Sequence, residues 1–324
     1  KLKDKFERQG FLVVKKVLNF NFDLKPILND IEFIMNRLVY KFVSKKKCDT
    51  VFEYNFWKKY TFLSKLNIKD FDQYFNIRPP KENLKKDSDF FATQSVWNLI
   101  RNENILDIIE KLIGSEINSN PVQNSRIKQP EKFLKKKTLY DGLSGRTPWH
   151  QDAGVLSKRG QNHTDMITCW VPFTKTTKKN GCMITVPGLQ KKGLFNHDAD
   201  SKGQAHIRNS ELLNKLKTVA LEANPGDIVL LSKHTVHCSL PNISNNFRIS
   251  MDLRYHKSGQ PSGRDLLPNF CVRSKNKKNI KIYNFKQWLS IWEKAKQSCL
   301  PKKYTFKYQT PTFKGTKRDL INLI

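Results

Sequence analysis

The chain contains no apolar run approaching the roughly 18 residues that a membrane-spanning helix needs, so no membrane span is expected. It also contains no Cys-x-x-Cys pair. Its six cysteines (Cys48, Cys169, Cys182, Cys238, Cys271 and Cys299) are widely scattered. That spacing excludes a zinc knuckle and a thioredoxin-like redox pair. Sparse cysteines in a chain of this size point to a reducing, cytoplasmic setting. Acidic residues are scarce: 29 Asp+Glu stand against 59 Lys+Arg, for a formal net charge of +30. Clustered cations would suit a polyanion, but the lysines fall in small groups such as Lys45–Lys47, Lys135–Lys137 and Lys277–Lys278. No helix carries a basic stripe, and no finger, P-loop or homeodomain pattern occurs. The charge therefore reads as a compositional bias toward Lys, Asn, Ile and Phe, with no nucleic-acid partner expected. Such a surface would still draw in a small anionic substrate. The opening KLKDKFERQG is polar and forms no signal-peptide pattern.

Enough apolar residues remain, 38% of 324, to build a sizeable core. The first third reads as helical. A short helix stops at Gly10 and is followed by a strand in FLVVKKV, residues 11–17. Leu24, Ile27, Leu28, Ile31, Met35 and Leu38 recur at helical spacing, with Asp23 as the expected N-cap. A further helix is expected over 103–113, while 44–95 shows no clean period. Beyond residue 117 short strand-like runs follow one another at 125–129, 165–173, 181–187, 227–233, 235–240 and 248–256. Turn signals such as NPGD separate them, which suggests a sandwich or jelly roll. One helix, 210–216, interrupts this half, and an amphipathic helix is expected in NFKQWLSIWEKAKQ, residues 284–297. The expectation is one domain over 1–324. A helical part, about 1–116, would pack on a β core, about 117–258, followed by an extension over 259–324.

The chemistry starts from TPWHQDAGV, residues 147–155. In extended chain, positions i and i+2 share a face, so His150 and Asp152 converge. Two histidines and one carboxylate on one face suit non-haem Fe(II) and leave open coordination positions. The second histidine must come from downstream. His234 and His237, just after the strand DIVLL, are the best placed, and spacing alone leaves both open. In FRISMDLRY, residues 247–255, alternation puts Arg248, Ser250, Asp252 and Arg254 on one face. Arg248 and Ser250 can form a carboxylate pocket, as the distal end of 2-oxoglutarate requires. Arg254 has two readings: an anchor for a substrate anion, or the partner of Asp252 or another acid. Trp149 reads equally as core or pocket wall. The basic loop 133–146 reads as a lid or as plain exposed chain.

Taken together, PWHQD, then CWVPFTKTTKKNGCMITVPGLQKK, then HTVHCSLPNISNNFRIS resemble the phytanoyl-CoA dioxygenase family of Fe(II)/2-oxoglutarate oxygenases. The opening FERQGFLVVKKVL and the stretch GQPSGRDLLPNF resemble the family as well. Cys238 stands where a glycine is common, and Leu189–Gln190 where Ser-His is common. The resemblance implies a mainly β fold with flanking helices, a double-stranded β-helix or jelly-roll core. It selects His237, which lies eleven residues before Arg248 in an H-x-S-x-x-N context, over His234. The implied metal ligands are thus His150, Asp152 and His237, with Arg248 and Ser250 for 2-oxoglutarate. By the same resemblance Trp170 lies close to the co-substrate, and Lys128, in KQP, lines its site. The implied reaction uses O2 to split 2-oxoglutarate into succinate and CO2 while hydroxylating a C–H bond of a small molecule. Related halogenases carry Gly or Ala at the carboxylate position, so Asp152 argues for hydroxylation. A desaturase or cyclase on the same fold, or a non-catalytic basic binding protein, are the alternatives.

Overall fold

The computed structural model describes residues 1–68, 71–79, 84–85, 88–134, 144–199, 204–300 and 320. The expected loop over 133–146 falls mostly on 135–143, outside the described residues, as do Lys135–Lys137.

Helix α1 (Leu2–Gln9) ends where Gly10 takes a left-handed φ of 83°, and strand β1 (Phe11–Val14) follows. β1 is shorter than its apolar run because Lys16 turns to a positive φ of 54°. Helix α2 (Lys25–Phe42) buries Ile27, Ile31, Met35 and Leu38, the face that the spacing predicts. Its entry differs from expectation. A π-helical turn spans Phe20–Leu24, and Asn19, not Asp23, accepts from the free amides of Asn21 and Phe22. Asp23 instead accepts from the Asn19 amide and from Asn102 Nδ2. The aperiodic stretch holds α3 (Lys45–Phe52), α4 (Phe56–Lys65) and α5 (Gln94–Ile100), followed by α6 (Glu103–Ile113). Helix α4 packs through aromatics. Tyr60 meets Phe71, Phe75 and Phe247, and Trp57 stacks on Phe247 at 4.4 Å.

Seven strands form the larger sheet. In order they are β1, β9 (Ile228–Ser232), β4 (Ile167–Pro172), β11 (Arg248–Lys257), β2 (Ile117–Ser119) and β12 (Phe270–Arg273). β3 (Asn124–Lys128) pairs with the first half of β11. Three strands, β10 (His237–Ser239), β5 (Met183–Thr185) and β8 (Val219–Leu221), form the smaller sheet. Strands β6 (His197–Ala199) and β7 (Ala205–Ile207) make a separate hairpin. The expected helix at 210–216 is instead a run of 3-10 turns over Ser210–Lys215. Helix α7 (Lys158–His163) and helix α8 (Phe285–Cys299) complete the described helices.

Alternation sorts each central strand. Ile249, Met251, Leu253 and Tyr255 of β11, Cys169 and Val171 of β4, and Leu230 of β9 join the buried faces of α2, α5, α6 and α8 in one core. The opposite faces look into the space between the sheets. Part of that space is apolar, with Trp170, Met183, Leu221, Val229 and Leu231 in contact. The rest is lined by the polar row of β11. This is the jelly-roll arrangement.

Asp227 ties the start of β9 to the end of β1. Its carboxylate accepts from the amides of Asn224 (2.8 Å) and Lys16 (3.0 Å) and from Lys15 Nζ (2.9 Å). Burial alone would raise its pKa, but these donors outweigh it and hold the carboxyl below its ordinary value. A depressed folded pKa means stability that is present above the unfolded value and lost as pH falls through the folded one. Asp227→Asn is expected to cost about 1–2 kcal/mol at neutral pH. Its melting temperature should also fall less steeply than wild type on acidification below about pH 4. Parallel melting curves against pH would contradict this assignment.

Candidate active site

His150 and His237 face each other across an isolated antiparallel bridge that adds residue 150 to the edge of β10. Their backbones exchange two hydrogen bonds, of 2.9 and 3.0 Å, and the ring centroids are 4.2 Å apart. His150 Nδ1 lies 2.8 Å from the Pro148 carbonyl, and His237 Nδ1 lies 2.9 Å from the Thr235 carbonyl. A carbonyl only accepts, so each Nδ1 carries a proton, and Nε2 is the nitrogen of each neutral ring that a metal can take. Burial, and after it the proximity of His237, pushes the His150 pKa well below its usual value and keeps the ring neutral.

Gln151 is extended (φ −122°, ψ 139°), so Asp152 returns to the His150 side before the chain turns into a 3-10 segment, Asp152–Val155. Asp152 Oδ1 lies 3.8 Å from His150 Nε2. Ligand atoms of His150, Asp152 and His237 all fall within 4.8 Å of one another, close enough to share one ion, and all three residues are buried. Burial would raise the Asp152 pKa. The Arg254 guanidinium and the Thr168 hydroxyl reverse that and hold the carboxyl far below its ordinary range. His234 stays outside this cluster. Its backbone carbonyl accepts from Gln151 Nε2 at 2.7 Å, and burial lowers its imidazole pKa to about 4.

The second constellation lies along β11 and its neighbours. Arg248, Ser250, Asp252 and Arg254 all turn inward and are at most 5% exposed. Arg248 stands opposite Lys128 of β3 in the strand register. Its Nη1 donates to the Gly181 carbonyl at 2.8 Å, and its guanidinium sits 5.4 Å from the Trp170 ring centre. Lys128 Nζ donates to Ser239 Oγ (2.6 Å) and the Leu240 carbonyl (3.3 Å). Among the described residues no carboxylate forms an ion pair with either cation. Among the described residues, Arg248 Nε and Ser250 Oγ are buried and have no hydrogen-bond partner. Burial first, and nearby Arg126 second, lower the Arg248 pKa to about 10. Buried donors without acceptors are costly. Burial, and after it the neighbouring Arg248, lower the Lys128 pKa as well. A buried guanidinium, a buried amine and two orphan donors therefore fit an anionic oxygen ligand, whose charge would restore both cations.

A small cavity joins both constellations and is lined by His150, Asp152, Trp170, His237, Arg248 and Arg254. A larger groove, between residues 258–271 and α8, shares no lining residue with it.

Residues 6–250 match the family model for phytanoyl-CoA dioxygenase (PhyH). The chain belongs to the phytanoyl-CoA dioxygenase family. Fe(II) and 2-oxoglutarate are the cofactor and co-substrate of this family, as the resemblance implied. A phytanoyl-CoA dioxygenase domain-containing protein 1 homolog of Dictyostelium discoideum is 35% identical over 122 residues, 35% of this chain and 41% of that protein. A 2-aminoethylphosphonate dioxygenase from an uncultured bacterium is 28% identical over 125 residues, 39% of this chain and 45% of that protein. The matched stretches thus span less than half the length of these curated relatives. A solved non-heme monooxygenase, ThoJ in apo form, aligns over 92% of this chain and 98% of its own at TM-score 0.57 and 15% identity. That likeness shows the fold.

Alternation along β11 places Arg254 in the site but does not reveal its partner. That partner is Asp152, while Asp252 pairs with Arg126 at 3.0 Å. Trp149 belongs to a separate apolar cluster with Val186, Phe195 and Val236, and its Nε1 donates to Asn214. Thr168, bonded to Asp152, is absent from the sequence-derived site. Its signal is its position two residues before Trp170 on the inward face of β4.

Proposed function

We propose that this protein is an Fe(II)/2-oxoglutarate-dependent oxygenase that hydroxylates a C–H bond of a small, anionic organic substrate. His150, Asp152 and His237 hold the iron. Arg248, Ser250 and Lys128 hold the distal carboxylate of 2-oxoglutarate, with Trp170 as a wall of that pocket. One observation carries the reading. The three metal-type donors converge beside the buried Arg248 and Lys128, where Arg248 Nε and Ser250 Oγ lack any acceptor among the described residues.

Bound iron and 2-oxoglutarate together supply the oxidising chemistry, in which O2 is consumed, succinate and CO2 form, and a substrate C–H becomes C–OH. The residues of the chain do the rest. Nδ1–H bonds to Pro148 and Thr235 fix both imidazoles with Nε2 inward. Asp152 completes a two-histidine, one-carboxylate face and leaves positions open for the co-substrate and O2. Arg248 recognises a carboxylate by charge and by its forked donors. Trp170, Met183 and Leu231 give the cavity a dry wall that excludes stray water. An anionic substrate is supported by the net charge of +30 and by a relative named for a phosphonate. The test is succinate formation by the iron-loaded protein with 2-oxoglutarate and O2, across matched anionic and neutral candidate substrates. Succinate above background, stimulated by the anions, is expected. Folded, iron-loaded protein that forms none would overturn the reading.

A further inference from the structure

Asp152 stands at the first position of a 3-10 turn, not within a strand, so no strand ladder fixes its carboxylate. Side chains from the larger sheet do so instead. Arg254 Nη2 donates to Oδ1 at 2.6 Å, and Thr168 Oγ1 donates to Oδ2 at 2.5 Å. Arg254 Nε also donates to Thr168 Oγ1 at 3.0 Å, closing a ring of three side chains. Arg254 Nη1 is fastened to the Val122 carbonyl at 2.9 Å. Arg254 and Thr168 face each other in the register of β11 with β4, and all three residues are at most 4% exposed. The nearer acid along β11, Asp252, is taken by Arg126. The oxygen held by Arg254 is also the one 3.8 Å from His150 Nε2. A carboxylate oxygen has a second lone pair, so each can be held by the sheet and still face the imidazoles.

We propose that Arg254 and Thr168 form a carboxylate cradle in the sheet. Arg254 is the positioning residue for Asp152, and the cradle will take up a free small carboxylate when the Asp152 side chain is removed. The proposal rests on reading His150, Asp152 and His237 as the metal ligands. The guanidinium keeps its orientation without Asp152 because Val122 and Thr168 still hold it. What remains is a buried, pre-aimed cation with a hydroxyl beside it, which suits a carboxylate.

The test measures Co(II) affinity by its visible absorption, with formate as the free carboxylate, in Asp152→Gly and in Asp152→Gly/Arg254→Met. Asp152→Gly is expected to lose Co(II) affinity, and formate to restore it by about tenfold or more, while the double variant gains less than about twofold. Formate should also raise the melting temperature of the single variant and not of the double. Equal rescue in both, or rescue in neither, overturns the cradle and leaves the metal site standing. Wild-type Co(II) affinity in Asp152→Gly without formate overturns the metal-site reading itself. If Asp152→Gly does not fold, Arg254→Met alone decides. The cradle requires a loss of Co(II) affinity of about 10- to 100-fold in a folded protein, and unchanged affinity refutes it.

Discussion

Asp152→Ala and His150→Ala are each expected to cut 2-oxoglutarate turnover by on the order of a thousandfold, about 4 kcal/mol of lost transition-state stabilisation. Each removes one of three donors from a face that has no fourth among the described residues. The two variants should part company in stability. Losing Asp152 strands the buried Arg254 guanidinium without its anion, an uncompensated charge worth about 3–5 kcal/mol. Losing His150 strands no charge, because its ring is neutral. Asp152→Ala should therefore melt well below His150→Ala while both lose activity. Succinate formation at the wild-type level by either variant would remove the metal assignment.

Arg248→Met is the second large effect, and it should move two quantities in opposite directions. In the free protein Arg248 is 1% exposed and, among the described residues, makes one hydrogen bond, to Gly181, and has no carboxylate partner. Replacing a buried, uncompensated cation by an apolar chain of similar length relieves desolvation, so the apo-variant should be at least as stable as wild type. With 2-oxoglutarate the order reverses. Truncating one side of a buried charged pair costs about 2–5 kcal/mol, so 2-oxoglutarate affinity should fall about a hundredfold or more. Ligand at about a hundred times its dissociation constant stabilises by about 2.7 kcal/mol, and that gain should vanish in the variant. Unchanged 2-oxoglutarate affinity would show that the orphan donors of Arg248 and Ser250 serve something else.

Much of the site is legible in the sequence because it rests on short periods. The inward row of β11 follows from strict alternation over residues 248–254, and the convergence of His150 with Asp152 follows from one extended residue, Gln151. What the sequence hides depends on long-range partners. Arg254 could have met a substrate anion or Asp252, and only the packing of residue 152 against β4 and β11 settles the pairing. Helix α4 is hard to read from periodicity because its aromatics Phe56, Trp57 and Tyr60 meet one another and Phe247 of the β half. At the entry to α2, Asp23 has the chemistry of a cap, but a π-helical turn moves the free amides back to Asn19. The 210–216 segment has helical composition and tightens to 3-10 turns around its one buried side chain, Leu213.

The choice of His237 over His234 bears most directly on the central claim, that these residues assemble an iron site for 2-oxoglutarate. The measurement is anaerobic titration of the metal-free protein with Fe(II) and then 2-oxoglutarate, following the visible charge-transfer band of the chelate. The band is expected in wild type and in His234→Ala and absent in His237→Ala. A band that survives in His237→Ala, or no band in folded wild-type protein, would contradict the site as described.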